Sequence, residues 1–204
     1  MEEWQMQGKP ALILIHMQHA ITDPEGTVGF LHAKATWESG IIEKQQALLK
    51  AFREKGLPVI YVNSVHPPDA AEKMSPYGRF YGVIRKNRTN EAGTKDVEVL
   101  SAVAPQPGEP VLGNFMFGIF SNNTGGDLKQ VLADAGAEVL VLCGVATGMA
   151  VMTAVIQCAD LFYKVIVPSD ASIDANQALH DMAMNTVIPG MALVTTSEDV
   201  IAHL

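Results

Sequence analysis

The stretch that decides the fold reads Val139-Leu140-Val141-Leu142-Cys143-Gly144-Val145-Ala146-Thr147-Gly148-Met149-Ala150-Val151-Met152-Thr153-Ala154. Val139 to Cys143 is a short apolar run with the length of a strand. Gly144 to Thr147 is a tight turn, and the segment from about Met149 to Leu161 reads as a helix. Outward from this unit the same alternation repeats. Lys164 to Val167 and Ala192 to Val194 follow as strands, with helices expected at Asn176 to Thr186 and at Ser197 to His203, where Ser197 and Asp199 suit a start.

On the N-terminal side, Ala11 to Ile15 is a continuous apolar run of the kind buried on both faces of a parallel sheet. Leu57 to Val62 is a second strand and Pro110 to Leu112 a third. A helix is expected over Ile41 to Lys55, where positions 41, 42, 48, 49 and 52 mark one apolar face and Gly56 ends it. Another is expected over Asp127 to Ala135, closed by Gly136. The stretch from Thr22 to Gly26 is turn-rich, and 69–109 reads as loop with one short amphipathic element near Val97 to Val103. Strands separated by helices imply right-handed crossovers. The expected architecture is one α/β domain over residues 1–204, a three-layer α/β/α sandwich around a mostly parallel six-stranded sheet.

Composition narrows the function. The 204 residues carry 14 Lys and Arg against 22 Asp and Glu, a net charge of −8, with no basic cluster of the kind that phosphate binding needs, so nucleic acid is not an expected partner. No apolar stretch approaches the ~20 residues of a membrane helix. Glu2 and Glu3 stand where a signal peptide carries positive charge, and a cytoplasmic protein is expected. The two cysteines, Cys143 and Cys158, lie in apolar segments and form no metal-binding or disulfide pattern.

In a parallel α/β sheet, ligands sit beyond the carboxyl ends of the strands. That rule selects His16, Asn63 to His66, Asn114 and Gly144 to Ala150. At these same places the chain resembles the isochorismatase-like hydrolase superfamily, which includes nicotinamidases, N-carbamoylsarcosine amidohydrolases and isochorismatases. The resemblance rests on Ala11 to His19, on Asn114 to Phe120, and above all on Cys143 to Ala154 together with Asp170-Ala171. It covers nearly the whole chain.

In the amidases of that family an Asp ending the first strand acts as base, a Lys polarises and orients, and a Cys at a helix N-terminus attacks the carbonyl. Matched residue by residue, these positions hold His16, Asn114 and Ala150. Alanine has no heteroatom to form a covalent intermediate. Cys143 lies seven residues upstream and Cys158 about two helical turns downstream, and both read as small buried apolar groups. His16 is either a hydrogen-bonding pocket residue or an acid/base group. Asn114 can orient a carbonyl or a water without supplying positive charge.

The resemblance further implies a cis peptide at Val145-Ala146 and an oxyanion hole from backbone N–H groups there and at position 150. Gln18, His19, His66, Phe115, Val145, Ala146 and Thr147 are the expected ligand-binding residues. Some relatives hold zinc through Asp-x-His and a second His. Here Ser64 takes the Asp position and His66 the first His, so no metal and no cofactor are expected.

Phe115, Met116, Phe117 and Phe120 suit core or a subunit contact more than a substrate box, and a homo-oligomer is expected. Arg79, Arg85, Lys86 and Arg88 crowd one loop, as a solvated surface or an anion site, while Met182 and Met184 suit packing or an interface. Three functions follow. The first is a small-molecule binder or non-catalytic partner subunit, taking a carbonyl- or carboxylate-containing molecule. The second is a hydrolase or lyase using His16 as acid or base with the Val145 to Thr147 backbone as oxyanion hole; isochorismatases that lack the cysteine cleave a vinyl ether by acid chemistry, though with the Asp retained. The third is an ordinary amidohydrolase, which the replaced positions oppose.

Overall fold

Strand β1 (Pro10–Ile15) is wholly buried and lies at the centre of the sheet in the computed structural model, which describes residues 4–115, 117–121 and 123–204. Its side chains divide by parity. Leu12 and Leu14 enter one core, whereas Ala11, Ile13 and Ile15 enter the other, so every position is apolar because both faces are covered. Strand β2 (Val59–Ser64) splits in the same way, with Val59 and Tyr61 on one face and Ile60 and Val62 on the other. Each fully buried Leu, Ile or Val contributes roughly 1.5–3 kcal/mol, which makes this doubly covered strand pair a main source of stability.

The remaining strands are β3 (Val111–Asn114), β4 (Asn123–Thr124), β5 (Val139–Val145), β6 (Lys164–Pro168), β7 (Ser172–Ile173) and β8 (Leu193–Thr195). Their order is β4-β3-β2-β1-β5-β6-β8, with β7 paired to β5, and every pairing is parallel except β3 with β4. The sheet therefore has eight strands where six are expected from sequence. The two additions, β4 and β7, are two residues long, too short to leave an alternating pattern.

The helices are α1 (His19–Thr22), α2 (Gly29–Glu38), α3 (Ile41–Glu54), α4 (Ala70–Lys73), α5 (Arg79–Asn87), α6 (Leu128–Ala135), α7 (Met152–Asp160), α8 (Gln177–Met182) and α9 (Ser197–Ala202). Helix α3 buries Ile41, Ile42, Leu48, Leu49 and Phe52 against the first core, and α6 and α7 bury Leu128, Leu132, Val155 and Cys158 in the second. That gives the three layers. Asp127 caps α6 by accepting from the Lys129 N–H, and left-handed Gly136 ends it.

Two helices are not expected from sequence: α2 lies where no element is assigned, and α5 lies within 69–109, which reads as loop. The buried positions of α2 are Gly29, Ala33 and Thr36, so it shows no apolar stripe, whereas α5 turns Phe80, Tyr81, Val83 and Ile84 to one face although only Ile84 is buried. The helix expected from Met149 begins as a wide turn over Thr147–Val151 and becomes regular at Met152. The element near Val97 to Val103 is two separate 3-10 turns, Lys95–Val97 and Ser101–Val103. The α9 cap is Thr196, which accepts from the Asp199 N–H. Among the described residues no helix is long and apolar enough to cross a membrane.

Candidate functional site

The chain passes from β1 to β2 on one side, while β5 pairs with β1 on the other, which opens a crevice beyond the carboxyl ends of β1 and β5. Two backbone devices build its base. Gly144 has φ +137°, and a side chain there would run into the Ile15 carbonyl oxygen, so only glycine lets β5 lie against β1 at its exit. His16, the first residue after β1, adopts the left-handed conformation with φ 53°, and its N–H donates to the Val62 carbonyl at 2.8 Å. A non-glycine residue held there costs on the order of 1 kcal/mol. The conformation points the imidazole into a cavity of about 90 Å³, room for several waters or a small organic molecule.

His16 is 8% exposed, and its Nε2 lies 3.1 Å from Asn114 Oδ1. The orientation of the Asn114 amide follows from its other end, where Nδ2 donates to the Gly118 carbonyl at 3.2 Å. Oδ1 therefore faces the histidine and accepts, Nε2 carries the proton, and Nδ1 is the lone-pair nitrogen. Burial drives the His16 pKa down to about 4. The Asn114 bond opposes this and the nearby His66 adds to it. At neutral pH the ring is uncharged.

His66 sits across the β2 exit. Its Nδ1 donates to the Thr89 carbonyl at 2.9 Å, which leaves Nε2 to accept from Ser64 Oγ at 3.2 Å. Asn90 Nδ2 donates in turn to Ser64 Oγ at 3.1 Å. Burial lowers the His66 pKa against the raising effect of the Thr89 carbonyl and Glu91. Both nitrogens of the His66 ring are thus engaged.

The Val145-Ala146 peptide is cis, as the resemblance implies. The Ala150 N–H, expected to face an oxyanion, instead donates to the Ala146 carbonyl at 2.9 Å within the wide turn. The Ala146 N–H has no acceptor among the described residues. Ala146, Ala150 and Val145 all line the cavity.

His16, His66, Val145, Ala146 and Ala150 thus meet at one cavity, with Asn114 directly behind His16. Gln18, His19, Phe115 and Thr147 lie outside its wall. Gln18 is fully buried, accepting from the Ser64 N–H at 2.6 Å and donating to the Ser64 and Asp96 carbonyls and to Asn90 Oδ1, so it ties the β1 and β2 exits to the 90s loop. His19 lies on α1 with its Nε2 3.7 Å from Asp23. Phe115 packs edge-on to the His66 ring at 5.5 Å. Thr147 pairs with His180, Oγ1 to Nδ1 at 3.0 Å. Met116 falls outside the described residues.

Both cysteines are buried away from the cavity, and burial pushes both thiols up to about 12. Neither forms a thiolate near neutral pH. Among the described residues no three His, Cys, Asp or Glu side chains are placed to hold a metal ion.

The cavity also contains residues that the sequence does not single out. His32 on α2 and Phe80 and Tyr81 on α5 form much of the outer wall, together with Phe117, which suits core or a subunit contact in sequence but lines the cavity instead. Phe80 and Phe117 have ring centroids 5.3 Å apart, and Tyr81 lies 6.2 Å from each. Burial lowers the His32 pKa against the raising influence of Asp174. His32 escapes sequence reading because α2 carries no apolar stripe, and Phe80 and Tyr81 because the apolar face of α5 sits on a helix only nine residues long inside a loop-rich stretch.

Residues 10–199 match the family model of the isochorismatase domain. The chain belongs to the isochorismatase family. It is 27% identical over 201 residues to the phenazine biosynthesis protein PhzD of Pseudomonas fluorescens, a match that covers 98% of this chain and 88% of that protein. It is 26% identical over 188 residues to the ureidoacrylate amidohydrolase RutB of Methylobacterium radiotolerans, covering 86% and 72% respectively. Among solved structures, a cysteine hydrolase from Pseudomonas syringae pv. phaseolicola 1448A superposes with a TM-score of 0.82 at 23% identity, over 98% of this chain and 94% of that one. That last likeness is one of fold. The eight-stranded isochorismatase-family sheet described above accounts for it.

Proposed function

We propose that this isochorismatase-family protein binds a small carbonyl- or carboxylate-containing molecule at the carboxyl ends of β1 and β5, and that it is not a cysteine amidase. The observation that carries the reading is the pairing of Ala150 with a neutral His16. Where the family resemblance places a nucleophile there is a methyl group, and where it places an acid or base there is a buried imidazole hydrogen-bonded to Asn114. Amide hydrolysis of the kind named for the ureidoacrylate relatives has no thiolate to begin from, since both cysteines are buried outside the cavity.

Acid chemistry on a vinyl ether is the second reading, and it requires an imidazolium. With a pKa of about 4, only about one ring in a thousand is protonated at pH 7. The same ring is well suited to accept a hydrogen bond through Nδ1, while the Ala146 N–H offers a donor to a carbonyl oxygen. These two groups favour binding.

The test is a panel of amides, esters and vinyl ethers assayed with the wild-type protein and with His16→Ala, beside native mass spectrometry of the purified protein. The expected result is no turnover across the panel and a small molecule carried through purification by the wild type but not by the variant. Turnover that His16→Ala abolishes would establish acid/base catalysis and overturn the binding reading.

A further inference from the structure

We infer that the molecule held in this cavity is neutral and carries an aromatic or unsaturated ring, and that His32 of α2 is a specificity-determining residue that reads one of its polar edges. The inference rests on the binding reading above and narrows it from carbonyl or carboxylate compounds to uncharged ones.

The wall supplies the first argument. Among the described residues that line the cavity there is no Asp, Glu, Lys or Arg. Its polar members are His16, His32, Ser64, His66, Thr89 and Asn90. The three histidines are all held toward their neutral forms by burial. A carboxylate entering this space leaves water and meets no cation, and an unpaired buried charge is strongly disfavoured. Asn114, standing where the family resemblance places a lysine, adds no charge. Arg79, next to Phe80, is not among the residues lining this cavity, and Arg85 and Arg88, next in sequence to the lining residues Ile84 and Thr89, line a neighbouring one instead. There Arg85 Nη1 donates to the Ser75 carbonyl at 2.6 Å and Arg88 Nε to Glu91 Oε1 at 2.7 Å.

Hydrogen-bonding capacity supplies the second argument. Ser64, His66, Thr89 and Asn90 are bonded to one another or to Gln18, Thr27 and Asp96, so the β2 side of the wall is largely satisfied internally. His16 keeps Nδ1. His32 is different again, because its Nδ1 is buried and has no hydrogen-bond partner among the described residues. A buried ring nitrogen without a partner calls for an explanation, and a ligand edge in the cavity that His32 lines provides one.

Shape supplies the third. Phe80, Tyr81 and Phe117 present clustered ring faces and edges to the same space, and such groups favour a flat, unsaturated ligand over a flexible aliphatic one.

The experiment is ligand-observed NMR with size-matched single-ring probes at neutral pH. The neutral set is 2-pyridone, acetophenone and 3-hydroxyacetophenone, and the anionic set is benzoate and 3-hydroxybenzoate. The expected result is at least about tenfold tighter binding of the neutral probes, with His32→Phe weakening those that bear an N–H or O–H about tenfold. His32→Gln, which retains hydrogen-bonding atoms, should restore part of the loss and serves alone if the Phe variant does not fold. Equal or tighter binding of the carboxylates overturns neutral selectivity while leaving the binding reading intact. Unchanged affinity in both His32 variants overturns the role of His32. No binding by any probe, neutral or anionic, overturns the binding reading and this inference with it.

Discussion

The base and the outer wall of the cavity are built on different terms. The base comes from strand exits: Gly144 against the Ile15 carbonyl, His16 turned left-handed after β1, and Val145-Ala146 leading into the wide turn. Its side chains are almost fully buried and its conformations are fixed by sheet register. The outer wall comes from α2 and α5, which bury few of their own residues; Phe80 is 41% exposed. Changes at the base should therefore alter folding and the chemistry the site can perform. Changes in the outer wall should alter which molecule is held.

The largest expected effect breaks the base. Gly144→Val places a branched side chain against the Ile15 carbonyl at a φ of +137° that such residues avoid. A loss of about 3–5 kcal/mol is expected, measured by urea denaturation, and a loss under about 1 kcal/mol would show that β5 can move away from β1 freely.

The next effect depends on pH. The folded pKa of His16, about 4, lies below its ordinary value of 6.5, so the unfolded chain takes up the proton first. The stability associated with its neutral form is fully present above about pH 6.5 and is lost as pH falls toward 4, by about 3 kcal/mol at the limit. His32 and His66 shift in the same direction, so the measurement is a difference: His16→Gln should flatten the stability profile between these pH values relative to wild type. Parallel profiles would mean that His16 titrates normally in the folded protein.

The smallest effect on stability should come from the outer wall. Tyr81→Ala removes a ring that is partly exposed and is expected to cost under about 1.5 kcal/mol, while weakening ligand binding because the ring lines the cavity. A thermal melt and a binding titration on the same variant separate the two. A large loss of stability with unchanged affinity would show that α5 belongs to the structural base.

The same contrast explains how much was legible in the sequence. Ala11 to Ile15 and Val139 to Cys143 announce doubly covered strands because every position is apolar, and the strand-end rule then leads to His16, Asn114 and Ala150. His32, Phe80 and Tyr81 do not announce themselves. Helix α2 buries a glycine, an alanine and a threonine and so shows no apolar stripe, and the apolar face of α5 spans only Phe80 to Ile84 inside a loop-rich stretch. Gln18 shows the opposite limit. Its place beside the first strand exit suggests a ligand contact, but a side chain amide two positions beyond His16 can turn into the protein, and this one is fully engaged by Ser64, Asn90 and Asp96. Sequence identifies the position and not the direction of the side chain. Thr147 repeats the point by pairing with His180.

The most direct test concerns the His16 ring itself. Two-dimensional 15N NMR of histidine-labelled protein, assigned with His16→Gln, reports both the tautomer and the pKa. The expected result is a neutral ring protonated on Nε2, facing Asn114, that persists as pH is lowered until about 4. A neutral ring protonated on Nδ1 would contradict the assignment of His16 as a hydrogen-bond acceptor toward the cavity, and an imidazolium present near neutral pH would contradict its neutrality and return the site to acid catalysis.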